Sequence, residues 1–199
     1  MKTIDFAKSL KEFYTAQRTA QEVIVPTGTF LAVEQQGKPG GDEFQHSIQC
    51  LFAVVYTAKF GLKGKIDFDF KVSKLECVYL SDPSTTPMDE WRWRLLIRIP
   101  DQFTAANLAT VKKAVRVKKD LDVSIVKRLR WNEGRAVQVL HVGPYERLGE
   151  TYCMLHGEAA KRGLVIAGPG HEIYLGDPRK SAPEKLKTIV RLPVKRGKK

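Results

Sequence analysis

Long apolar runs are missing from this sequence. No segment of its 199 residues approaches the roughly 18 uninterrupted apolar residues that a membrane-spanning helix needs. The stretch from Met1 to Tyr14 is polar and amphipathic, without the apolar centre of a signal peptide, so the expectation is a cytoplasmic protein with no membrane partner. Cysteine is scarce. Cys50, Cys77 and Cys153 form no CxxC pair, and their odd number argues against a disulfide framework; they read as small buried thiols. The histidines (His46, His141, His156 and His171) lack HxxxH or other ligand spacing, so no metal is expected. There is no P-loop, dinucleotide fingerprint or G-x-S-x-G elbow, so no cofactor is expected and no serine or cysteine stands out as a nucleophile. Gly168-Pro169-Gly170 reads as a turn, not a phosphate cradle.

What is present suits a globular protein. Hydrophobic residues make up 43% and charged residues 28%, and a chain of this length buries about 70% of its unfolded surface. Positive charge dominates, with 34 Lys and Arg against 22 Asp and Glu for a net +12. Part of it is local, in the tail (Lys195, Arg196, Lys198, Lys199) and in a cluster at Lys112, Lys113, Arg116, Lys118 and Lys119. Such a distribution suits an anionic partner, or simply a solvated helix face and a basic tail. No aromatic residues interleave the lysines, and no helix-turn-helix or zinc-finger spacing occurs, so nucleic acid is not the expected partner.

Periodicity places a short helix within residues 1–20, carrying Phe6, Leu10 and Phe13. A strand follows at Thr29–Val33. Asp42 is expected to cap a helix with Phe44, Ile48, Leu51 and Val55 on one stripe and Gly61 as its stop. Alternation predicts strands at Ile66–Val72, Cys77–Leu80 and Trp91–Ile99. Thr104 caps a further helix through Leu108, Val111 and Val115, which leads to a basic connector. The order then begins again. A strand at Arg135–His141 precedes Gly143-Pro144 and a helix with Leu148, Tyr152 and Leu155 on one face. Strands at Glu172–Leu175 and Lys187–Pro193 end the chain.

Residues 78–83 (VYLSDP) are echoed by residues 173–178 (IYLGDP), an offset of 95 from Asp82 to Asp177. Gly37 after the first strand matches Gly143 after its counterpart, and the last strands end alike in Arg98-Ile99-Pro100 and Arg191-Leu192-Pro193. Each half therefore reads strand–helix–strand–strand. The expected fold class is α+β: two pseudo-repeated β-α-β-β modules forming a curved antiparallel sheet, with helices on one face and a ligand cleft on the other. The expected organisation is a single domain over residues 1–199, with halves at about 22–101 and 131–195 and a helical connector at 102–130.

The chemistry concentrates on one strand. Alternation puts Glu172 and Tyr174 on one face and Ile173 and Leu175 on the other, so the carboxylate and phenol are expected to face the cleft. A carboxylate in an apolar pocket resists ionisation, which makes a glutamate useful as a general acid or base near neutral pH; equally, it serves as countercharge for a cation. Trp91 and Trp93 share one face of their strand, either as core or as a wall of an aromatic box. Phe52 and Tyr56 lie one helical turn apart, and Tyr145 sits at a helix start where it can lean over a cleft.

Three segments carry a resemblance: His141-Val-Gly-Pro-Tyr145-Glu146 before a helix, residues 171–180 (HEIYLGDPRK), and residues 183–188 (PEKLKT). On these the chain resembles the GyrI-like family, which shares the effector-binding domain of multidrug regulators, and within it a stand-alone subfamily similar to cyclopropanoid hydrolases. The resemblance implies that Glu172 lies in the pocket and that Tyr56, Trp93, Tyr145 and Tyr174 form an aromatic cage; Glu172 is the expected catalytic residue, and Phe52 and Trp91, from their placement, are further expected ligand contacts. It also implies a lipophilic, flat or cationic small-molecule partner. Three functional expectations follow: a small-molecule-binding protein that hydrolyses electrophilic, cyclopropane-bearing xenobiotics; a non-catalytic binder or sensor of lipophilic cations; and a basic interaction protein for nucleic acid or an acidic partner.

Overall fold

A computed structural model describes residues 3–62 and 67–197. The elements in chain order are β1 (Thr3–Ile4), α1 (Phe6–Ser9), α2 (Lys11–Tyr14), β2 (Gln21–Val25), β3 (Gly28–Gln36), α3 (Asp42–Gly61), β4 (Asp69–Phe70), β5 (Leu75–Tyr79) and β6 (Arg92–Ile99). They continue with α4 (Ala105–Lys119), β7 (Lys127–Trp131), β8 (Gly134–Val142), α5 (Leu148–Lys161), β9 (Leu164–Ile166), β10 (Gly170–Tyr174) and β11 (Lys187–Arg196). Among the described residues no helix is long and apolar enough to cross a membrane.

Most of the α+β order expected from periodicity is present, with instructive differences. The N-terminal helix is broken into α1 and α2 at Leu10, and a two-residue strand precedes it. Asp42 is the first residue of α3 rather than its cap; Gly41 occupies the cap with extended backbone and no side-chain bond. Thr104 does cap α4, exchanging bonds with Asn107 in a capping box. The strand expected from Ile66 is reduced to β4, and Ile66 itself lies outside the described residues, as do Lys198 and Lys199. The connector at 102–130 is not wholly helical, because β7 begins within it.

The main sheet runs β2-β8-β11-β10-β5-β6-β3-β7, with β9 added at the end of β11. Its order mirrors about the central β10·β5 pair: β8-β11-β10 on one side, β3-β6-β5 on the other. Residues 21–36 and 127–142 form two long bent strands that run antiparallel in a single register, from Gln21 opposite Gln138 to Ala32 opposite Lys127. Pro26, which has no N–H to donate, lies where the pairing is interrupted. This ribbon draws the sheet's two ends toward each other, so the sheet is strongly curved without closing.

The two faces are covered by different elements. On one face α3 and α4 pack over Leu31, Val33, Cys77, Trp93, Leu95 and Ile97, while α5 packs over Val137, Val139, Val190 and Leu192. On the other, Phe6, Phe13 and Tyr14 from the N-terminal segment cover Ile173 and Ile189. The long helices therefore flank the face that Glu172 occupies, and the short N-terminal helices cover the opposite one.

That opposite face also holds a buried ionic cluster. His171 Nδ1 donates to Glu133 Oε1 at 3.0 Å, and Arg191 Nη1 donates to Glu133 Oε2 at 2.9 Å. His171 Nε2 lies 3.1 Å from Glu76 Oε2, close enough for ion pairing but off the line of a hydrogen bond. Tyr14 Oη donates to Glu76 at 2.8 Å, while Arg191 Nη2 donates to the Phe13 carbonyl at 2.7 Å and so ties α2 to the sheet. Burial alone would lower the His171 pKa, but the Glu133 charge and its hydrogen bond prevail and raise it to about 9. Burial alone would raise Glu133, and the His171 and Arg191 charges outweigh it, bringing it to about 2.

The signs fix a pH window. Glu133, depressed on folding, contributes stability that is present above pH 4.5 and lost as pH falls through about 2. His171, raised on folding, contributes stability that is complete below pH 6.5 and lost as pH rises through about 9. Glu133→Gln removes the carboxylate shared by two buried cations, so a loss of about 3–5 kcal/mol is expected from urea unfolding between pH 4.5 and 6.5. The difference from wild type should shrink on either side of that plateau.

Candidate functional site

Alternation on β10 decides the site. His171 and Ile173 point to the N-terminal side, and Glu172 points the other way, directly across from Cys77 of β5 and Val190 of β11. Glu172 is 3% exposed. Tyr174, two residues on, donates to Glu172 Oε2 at 2.8 Å. Tyr79 of β5 approaches the same oxygen at 3.4 Å and lies 3.2 Å from the Tyr174 hydroxyl. Tyr152 comes down from α5 and donates to the other oxygen, Oε1, at 3.2 Å. One carboxylate is thus surrounded by phenols from three elements.

Burial raises the Glu172 pKa, and the hydrogen bonds from Tyr174, Tyr152 and Tyr79 restrain the rise, leaving it at about 7. Burial beside this charge pushes the pKa of all three phenols well up, so they remain donors.

A cleft of about 2470 Å³ opens above this group, between α3 and α5. Tyr145 meets Tyr174 edge-on at 5.6 Å, and Trp91 meets Tyr79 edge-on at 5.7 Å. Phe52 and Tyr56 stack on α3 at 5.9 Å and line the cleft, Tyr56 at its exposed side. The position of Tyr145 is set by the His141 motif. His141 Nε2 donates to the Pro144 carbonyl at 3.2 Å, and Nδ1 hydrogen-bonds the Thr151 hydroxyl at 2.7 Å, latching the turn to α5. Gly143 bends the chain there at φ +145°.

Glu172, Tyr174, Tyr145, Phe52, Tyr56 and Trp91 therefore meet around one cleft. Trp93 does not join them: it is fully buried, donates its indole N–H to the Gly37 carbonyl at 2.9 Å, and packs edge-on against Phe44 at 4.9 Å. Phe44 lines the cleft in its place. The shared face that unites Trp91 and Trp93 in the sequence is real, but α3 lies over the second indole. Sequence reasoning missed two phenols. Tyr79 was legible, since it is the counterpart of Tyr174 at the offset of 95, whereas Tyr152 reads from periodicity only as part of a helix stripe. Among the described residues no group of three or more His, Cys, Asp or Glu is placed to hold a metal ion.

Residues 20–195 match the model of the GyrI-like small molecule binding domain. An uncharacterized conserved protein from Listeria innocua is 40% identical, with a TM-score of 0.91 over 97% of this chain and 100% of that one. A hydrolase from Listeria innocua is likewise 40% identical, with a TM-score of 0.88 over 97% of this chain and 100% of that one. The EcmrR C-terminal domain, at 14% identity and a TM-score of 0.58 over 89% of this chain and 98% of that one, shares the fold alone. No curated protein matches the chain.

Because the pKa of Glu172 is raised on folding, from 4.5 to about 7, its contribution to stability is complete below pH 4.5 and lost as pH rises through 7. The expected loss is about 3 kcal/mol. Glu172→Gln removes this titration, so the stability of the variant relative to wild type should grow between pH 4.5 and 8 in paired denaturant curves.

Proposed function

As the chain belongs to the GyrI-like small-molecule-binding family, we propose that it takes up a flat, lipophilic electrophile and opens a strained cyclopropane ring in it by adding water. The observation that carries this reading is Glu172: a buried carboxylate with a pKa of about 7, beneath an aromatic-lined cleft. The 40% identity to a protein described as a hydrolase supports it.

In this reaction the ionised Glu172 takes a proton from water as the oxygen bonds to a ring carbon. The ring C–C bond breaks, and its electron pair passes into a conjugated carbonyl of the substrate, which is then protonated. Tyr174, Tyr152 and Tyr79 hold the carboxylate in one orientation, so little reorganisation accompanies the proton transfer. Tyr145, Phe52, Tyr56 and Trp91 contact the ligand's flat faces and exclude bulk water. Trp93 acts from behind Phe44.

A second reading uses the same carboxylate as a countercharge. Its ionised form among aromatic faces suits a lipophilic cation, bound and released unchanged.

The test is hydrolysis of a cyclopropane-bearing dienone, followed by mass spectrometry for added water. Glu172→Gln should lower turnover about 10²–10⁴-fold, and the wild-type rate should rise with pH through about 7. Equal rates in the two proteins would remove Glu172 from the chemistry. Retention of a cation without any added water would favour the second reading.

A further inference from the structure

The Tyr152 side chain, whose hydroxyl donates to Glu172, passes close over a residue that has no side chain. Gly170 begins β10 opposite Tyr79. A Cβ built at Gly170 would lie 2.7 Å from both Cε1 and Oη of Tyr152, inside any permissible contact. The other half of the sheet supplies a comparison within the same molecule. At the offset of 95, Glu172 corresponds to Cys77, Tyr174 to Tyr79, and Gly170 to Leu75. The pairings Gly170–Tyr79 and Tyr174–Leu75 exchange under this correspondence, while Glu172–Cys77 maps onto itself. Where Leu75 fills the slot, Cys77 lies buried in the apolar core under α3. Where Gly170 leaves it open, α5 sends Tyr152 to Glu172.

We propose that the bare backbone at Gly170 is a functional feature, a slot that admits Tyr152 as the positioning residue for Glu172. β10 is fixed by hydrogen bonds to β5 on one side and β11 on the other. The three atoms nearest to a methyl group at position 170 all belong to the far end of the Tyr152 side chain, so the Tyr152 ring tilts before the strand moves. Oε1 then loses its donor, while Oε2 keeps Tyr174 and Tyr79. The other groups facing Glu172 are unaltered: Cys77 on β5, Tyr145 beside Tyr174, Val190 on β11, and His171 behind the sheet. Withdrawal of one donor from the ionised form makes ionisation harder. The consequence for turnover rests on the hydrolase reading above; the placement of Tyr152 does not.

The measurement is a ¹³C NMR titration of the Glu172 carboxyl in the full chain, with its signal identified by loss in Glu172→Gln. Tyr152→Phe and Gly170→Ala should each raise the titration midpoint by about one pH unit, or tenfold in proton affinity. The double variant should go no further than either single one, because both remove the same contact. An unmoved midpoint in Tyr152→Phe overturns the proposal, and that variant leaves the backbone untouched should Gly170→Ala fail to fold. An equal further shift from Gly170→Ala in the Tyr152→Phe background also overturns it. Absence of hydrolysis by the wild type would sink the hydrolase reading while leaving this titration decisive for Tyr152.

Discussion

A single five-residue strand carries two neighbouring ionisable side chains into opposite interiors, and much of the molecule is arranged around that fact. His171 and Glu172 are adjacent on β10, so the pleat separates them to either side of the sheet. Each is buried, and a buried charge needs partners. His171 is met by anions, Glu133 hydrogen-bonded to it and Glu76 close by, and Arg191 completes a tight ionic cluster that also anchors the N-terminal segment. Glu172 is met only by neutral phenols and a thiol, with no cation on its own face among the described contacts. The contrast in partners explains the contrast in behaviour: ionic partners lock the protonation state of His171 and Glu133, whereas neutral donors leave Glu172 poised near neutrality.

The same division clarifies what each part of the sheet contributes. The ionic side is buried beneath the N-terminal segment. The phenolic side opens to a cleft partly walled by aromatic side chains, with Glu172 at its base. Such an arrangement can bind apolar matter while presenting one carboxylate to it, a combination that fits a small-molecule-binding family.

Much of this was readable from residues. Period-two alternation gave the direction of Glu172 and Tyr174, and the capping pattern at Thr104 placed α4. The repeat at an offset of 95 anticipated the mirrored strand order about β10·β5. Where reading failed, the cause was non-local. Trp93 shares a face with Trp91, and nothing local says that α3 covers one indole and not the other. β7 (KRLRW) is a short, mostly charged segment whose strand character comes from pairing with distant β3, so propensity alone could not reveal it. The two short N-terminal helices shield the face opposite the long ones.

The long ribbon formed by residues 21–36 and 127–142 has a consequence for how this chain can exist at all. β2 opens the first half in sequence yet lies against β8 of the second; β7 leads into the second half yet lies against β3 of the first. Each half lends its leading segment to the other's margin, as two hands clasp. Neither is therefore autonomous: cut anywhere between α4 and β7, each fragment would carry an unpaired strand and expose the bare edge its counterpart should cover. The cleft, lying across the seam, is the property of the clasp and belongs to neither half.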